Sequence, residues 1–184
     1  SINRHLRYDN GMTPFFRLIR LPNLLIVALT QYLLQYIILV PELSRLGQPP
    51  VLPRFEFFLL VFSTVLIAAS GYIINDIEDI EIDRINKPEH KRIVGRVYPL
   101  NMSWLFYWTL VVLGFGISLY LALFINDFVQ LAIYPVAVAL LWAYSRWFKQ
   151  QFLVGNLVVS AFCGFVAWVV FYAQSFERSE YQGL

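Results

Sequence analysis

Five stretches of this chain contain no charged residue: 24–40, 57–74, 103–125, 128–145 and 153–173, each 17 to 23 residues long. About 20 apolar residues in a helix cross the roughly 30 Å hydrocarbon core of a bilayer. The pattern therefore predicts an all-α membrane protein, a transmembrane bundle with five spans in this chain and a single domain over residues 1–184. The composition agrees. With 59% hydrophobic and 14% charged residues, the chain is too apolar for an ordinary soluble domain.

A net charge of +2 gives no basis for a nucleic-acid partner, but the distribution of charge is informative. With the spans placed as above, the tail and the second and fourth loops carry Arg4, Arg7, Arg17, Arg20, Arg84, Lys87, Lys91, Arg92, Arg96, Arg146 and Lys149, against Arg45, Arg54 and Arg178 on the other side. Positive residues favour the cytoplasm, so the N-terminus and the loop 75–102 are expected there, with a bacterial inner membrane as the setting. Residues 1–23 read as a basic tail ending in a short interfacial helix whose arginines meet headgroups. The proline-rich stretch 41–54 reads as a connector. Asn126 and Asp127 leave room only for a tight hairpin between the third and fourth spans. Trp104, Tyr107 and Trp108, with Trp142, Tyr144 and Trp147, suit an interfacial aromatic belt. Cys163 reads as a small core residue, and no cleavable signal peptide is visible.

The most unusual stretch is Asn75–Pro88, "NDIEDIEIDRINKP". If the second span continues as a helix past Ile74, then Asn75, Asp76, Asp79, Asp83 and Asn86 share an arc of about 100°, while Glu78, Glu81 and Arg84 lie opposite. Pro88 ends the arrangement near Asn86. A solvated, charge-rich helix end is one reading. Against it, like charges on one helix face repel, and carboxylates near a helix C-terminus oppose its macrodipole. A hard divalent cation offsets both, since Mg²⁺ takes a few carboxylate oxygens together with water and phosphate.

Asn75-Asp76, Asp79 and Asp83 spell N-D-x-x-D-x-x-x-D, which resembles the first aspartate-rich motif of the UbiA superfamily of intramembrane prenyltransferases. Arg20-Leu21-Pro22-Asn23 resembles the start of that family's first helix. Asn86-Lys87-Pro88 with Gly95 resembles its following loop, and Tyr144 to Asn156, "YSRWFKQQFLVGN", its tyrosine-lysine segment. In two places the chain departs from the pattern. The family's loop arginine falls on His90, with Lys91 and Arg92 next, and the tyrosine-to-lysine spacing is five residues rather than the family's more common four.

The resemblance implies that Asp76, Asp79 and Asp83 hold Mg²⁺ against the diphosphate of a polyprenyl diphosphate. The leaving group is neutralised, the allylic carbon ionises, and a lipophilic acceptor captures it. It further implies that Asn23, Asn75, Asn86, Tyr144, Lys149 and a basic residue among His90, Lys91 and Arg92 bind substrate. Other readings stay open at this point. Lys149 and Arg146 also suit positive-inside anchoring, and Asn23 also suits a helix N-cap. A non-catalytic membrane subunit would keep the same outline, whereas a cation channel would favour acids inside the spans. The acceptor is not legible. The family's bundle has about nine helices and a second aspartate motif, for which this chain offers no candidate, so a longer polypeptide or a partner chain supplying the missing helices is expected.

Overall fold

The computed structural model describes residues 12–47, 49–50, 52–86, 88, 92–126, 128–148, 161 and 164–172. Among them the architecture is helical: α1 (Met12–Leu18), α2 (Leu21–Leu33), α3 (Val40–Arg45), α4 (Arg54–Glu78), α5 (Ile80–Asn86), α6 (Leu100–Ile125) and α7 (Phe128–Ala143), with a further helical stretch at 164–172. Three helical segments are long and apolar enough to cross a membrane: Leu21–Arg45, Arg54–Glu78 and Leu100–Ile125. They match the first three uncharged runs. The fourth run forms the 16-residue α7, which continues through a π-helical turn, Tyr144–Phe148. The fifth is described only in part.

The first span is longer than its uncharged run because the chain does not leave the helix at Pro41. A π-helical turn, Leu34–Leu39, joins α2 to α3, and the Val40 N–H donates to the Gln35 carbonyl five residues back. Proline has no N–H to contribute to the helix, and a π turn is one way a helix absorbs the mismatch. The expected connector is thereby shortened to residues 46–53. At the other end, α1 does more than lie at the interface. Leu18 is fully buried, and the Phe15 ring meets Phe106 of α6 edge-on at 5.3 Å between centroids.

The centre of the bundle is α4. Of its apolar window 61% is buried, against 17% for Leu21–Arg45 and 22% for α6, so the other helices pack around it and turn their outer faces toward lipid. Apolar contact alone drives little association inside a bilayer, where close backbone approach and interhelical hydrogen bonds matter more. Both are present. A Cβ added at Gly114 of α6 would lie 3.0 Å from Ile67 of α4, and one at Gly71 of α4 would lie 2.9 Å from Leu141 of α7. The Ser63 hydroxyl is 2.7 Å from the Tyr134 hydroxyl, joining α4 to α7. The Gln31 amide donates to Thr64 and to the Val166 carbonyl, each at 3.3 Å, joining α2 to α4 and to the last helix. The hairpin between α6 and α7 is as tight as expected, with Asn126 in the left-handed region (φ 57) ending α6. Asparagine tolerates that conformation well.

Candidate functional site

The acidic end of the second span is helical, as its spacing requires, but it is broken once. Helix α4 stops at Glu78, Asp79 sits at φ −87 and ψ 0, and α5 resumes at Ile80. The hydrogen-bond ladder nevertheless runs through the break: the Asp79 N–H donates to Asn75 O at 3.1 Å and the Asp83 N–H to Asp79 O at 2.7 Å. Side chains four and seven residues apart therefore still share a face. Asp76, Ile80 and Asp83 form such a stripe, and together they line a cavity of about 580 Å³. Asn75 and Asp79 form a neighbouring stripe, with the Asn75 amide donating to the Asp79 carboxylate at 3.3 Å. Arg84 and Glu81 pair with each other on the exposed side, 3.2 Å apart.

The opposite wall of the cavity comes from the start of the chain. Phe16, Arg17, Arg20, Leu21, Pro22 and Asn23 complete it, together with Ile93 and Val94 from the loop after α5. Arg20 is not among the candidate site residues read from the sequence, yet it reaches across the cavity to the acidic stripe. Its Nη2 lies 3.4 Å from Asp76 Oδ1, and its guanidinium stands 4.8 Å over the Tyr72 ring. Tyr72 precedes Asp76 by one helical turn, so the arginine lies along the same stripe of α4. The only prior signal for it was the Arg-x-Pro-Asn pattern. The N-cap reading of Asn23 does not hold: the residue capping α2 is Arg20, with Pro22 in the first turn, and Asn23 lies inside the helix with its side chain exposed to the cavity.

The loop 92–99 is held by a turn. The Gly95 N–H donates to Tyr98 O at 2.8 Å, and the Tyr98 N–H to Ile93 O at 3.0 Å. Gly95 takes φ +84, and a Cβ there would meet Ile80 Cδ1 at 3.1 Å. Both the conformation and the contact favour glycine, and the result is that Ile93 and Val94 close over α5. Just before them, the Nε of Arg92 is buried without a hydrogen-bond partner.

The remaining candidates divide in two. Asn86 is exposed at the end of α5, and Tyr144 is half-buried at the start of the π turn, and neither lines the cavity. His90, Lys91 and Lys149 lie outside the described residues. Among the described residues no three acidic, histidine or cysteine side chains come together closely enough to enclose a metal by themselves. Asp76 and Asp83 face one cavity, and Asp79 lies on the adjacent stripe beside Asn75. That donor set still fits Mg²⁺, which is commonly held by one or two carboxylates and completed by water and substrate phosphate.

A second cavity, of about 610 Å³, opens between α6 and α7. It is almost wholly apolar and aromatic, with Trp104, Tyr107, Trp108, Tyr134 and Trp142 among its lining.

A membrane-embedded helical bundle with an acidic stripe facing basic and amide groups at one end of its spans defines a recognisable class. The chain belongs to the UbiA prenyltransferase family, whose sequence model matches residues 44–179. It is similar to the digeranylgeranylglyceryl phosphate synthase of Sulfolobus acidocaldarius, with 40% identity over 104 residues, covering 56% of this chain and 36% of that protein. The corresponding synthase of Sulfurisphaera tokodaii is 34% identical over 123 residues, covering 65% and 42%. A solved structure from work on "the biosynthesis of Digeranylgeranylglyceryl phosphate synthase in membranes" superposes with a TM-score of 0.68 at 26% identity, covering 89% of this chain and 53% of that one. The matched region therefore spans between about a third and a half of these relatives. The multi-pass membrane character of the chain agrees with both comparisons.

Proposed function

We propose that this chain carries the diphosphate-binding part of a prenyltransferase of membrane-lipid biosynthesis, which moves a geranylgeranyl group from its diphosphate to a glyceryl phosphate that already bears one. The donor and acceptor follow from the product named for the relatives. The observation that carries the reading is the cavity at the helix ends, where Asp76 and Asp83 on one stripe face Arg17, Arg20 and Asn23.

Asp76 and Asp83, with Asp79 beside them, would hold Mg²⁺, which supplies charge neutralisation for the departing diphosphate. The chain's own residues supply the rest. Arg17 and Arg20 offer guanidinium forks to phosphate oxygens, and Asn23 offers an amide. Ile80, Ile93 and Val94 restrict water near the reacting carbon, where a carbocation would otherwise be quenched. The apolar helices leave the isoprenoid tail in surroundings like those of the bilayer. On this reading the loop between α4 and α6 and the N-terminus face the cytoplasm, on the strength of eleven basic residues against three, and further helices complete the bundle. The relatives cited come from archaea, so a prokaryotic cell membrane is the proposed setting.

The test is transfer of label from geranylgeranyl diphosphate to geranylgeranylglyceryl phosphate by the complete protein in membranes, with and without Mg²⁺. Transfer that persists after chelation, or that persists in Asp76→Asn and Asp83→Asn alike, would overturn the proposal.

A further inference from the structure

Arg20 occupies a backbone position that its residue type disfavours. It lies in the turn between α1 and α2 and caps α2, at φ 53 and ψ 54. Its N–H donates to Arg17 O at 3.2 Å, and its carbonyl accepts from the N–H groups of Asn23 and Leu24 at 2.9 and 3.3 Å. The left-handed conformation at a helix exit is the place for glycine, or for asparagine as at Asn126. Among the described residues Arg20 and Asn126 are the only non-glycine residues with positive φ. An arginine placed against its backbone preference points to a task for the side chain.

The side chain's surroundings indicate that task. The 3.4 Å separation from Asp76 is well beyond the roughly 2.8 Å of a tight charge-assisted hydrogen bond, and 43% of the arginine side chain is exposed against 18% of the aspartate. The pair is loose and opens on the cavity, while stacking over Tyr72 at 4.8 Å keeps the guanidinium at the rim whether or not the carboxylate holds it. A planar fork in that position matches phosphate oxygens as well as it matches a carboxylate.

We infer that Arg20 is an exchangeable counter-ion of Asp76: it balances the carboxylate while no diphosphate is bound, and turns to the diphosphate oxygens when a divalent cation takes its place. This rests on the cavity being a diphosphate site. It makes Arg20 a competitor of the cation when the cation is alone, and an ally of it when diphosphate is present. No purely structural staple between α1 and α4 would behave in both ways.

Arg20→Gly separates the possibilities, because it removes the guanidinium while giving the backbone the residue it favours. In the complete protein reconstituted in lipid nanodiscs, with Mn²⁺ as the cation and inorganic pyrophosphate as the anion, the thermal midpoint should hold or rise. Affinity for Mn²⁺ alone should increase several-fold. Affinity for pyrophosphate at saturating Mn²⁺ should fall at least ten-fold, and Arg20→Lys should recover part of it. A lowered midpoint with both affinities unchanged makes Arg20 a staple and overturns the inference, as does an Mn²⁺ affinity that falls. If the unaltered chain binds no pyrophosphate even with Mn²⁺, the diphosphate reading of the cavity fails, and this inference with it. Normal binding by the unaltered chain, combined with no change in Arg20→Gly, sinks the role of Arg20 alone.

Discussion

Glu78 Oε2 lies 3.7 Å from Arg146 Nη1, tying the last residue of α4 to the π turn that follows α7. The same guanidinium stands 5.5 Å over the Trp142 ring. Glu78 points away from the aspartate stripe, so the two acidic faces of this helix end have different partners. One faces the cavity, and the other fixes the segment that begins with Tyr144.

Breaking that tie should cost little stability. With the Arg146 side chain 51% exposed, screening limits the pair to about 0–1 kcal/mol. Glu78→Gln should therefore leave the unfolding midpoint nearly unchanged, and it should raise the KM for the prenyl diphosphate in the complete protein more than it lowers kcat. An unchanged KM would mean that the position of the π turn does not matter to substrate binding.

Asp83→Asn should remove most turnover, by the order of 10² or more expected when a preorganised electrostatic group is lost, while membrane insertion is retained. Asn86→Ala should be nearly silent, because Asn86 is exposed and does not line the cavity. Equal losses in the two variants would show that the cavity is not where the reaction is organised.

Gly71→Val should damage the packing of α4 against α7. A Cβ there already lies 2.9 Å from Leu141 Cδ2, and overpacking of this kind costs about 1–3 kcal/mol. Adding Leu141→Ala should restore part of the loss in a detergent-unfolding assay. If the double variant is no more stable than Gly71→Val alone, the contact is not the cause.

The orientation can be tested with a single cysteine at Glu89 in a Cys163→Ser background. An impermeant thiol reagent should label it only after the membrane is opened, since the positive-inside bias assigns that loop to the cytoplasm. Labelling in intact cells would invert the topology.

The first three spans were legible because an uncharged run of bilayer length has few other uses. Their ends were not. Pro41 suggested a connector, yet the helix passes through it by way of a π turn whose carbonyl partner lies five residues back, a backbone adjustment with no side-chain signature. The acidic stripe was legible from helical spacing, and the resemblance to the prenyltransferase family rested on it together with three further motifs in order along the chain. That Asp76 and Asp83 line the cavity while Asp79 accepts from Asn75 was not, because it depends on how one face of the helix divides between a cavity and a neighbouring amide. Arg20 was missed as a site residue for a different reason. Its contact spans 56 positions in sequence and depends on α1 folding back onto α4, which no local pattern encodes.

Helix α4 has 25 residues and is about 37 Å long at 1.5 Å per residue, whereas the hydrocarbon it crosses is about 30 Å thick. The surplus is about five residues, shared between the charged start Arg54–Glu56 and the polar turn Asn75–Glu78 at the other end. The acidic turn is thus a part of the span that does not fit in oil. On the proposed function, a lipid substrate would lie with its charged end at the level of the headgroups and its tail in the hydrocarbon, and would reach the cavity by sideways movement within the membrane, with no transfer of charge into its interior.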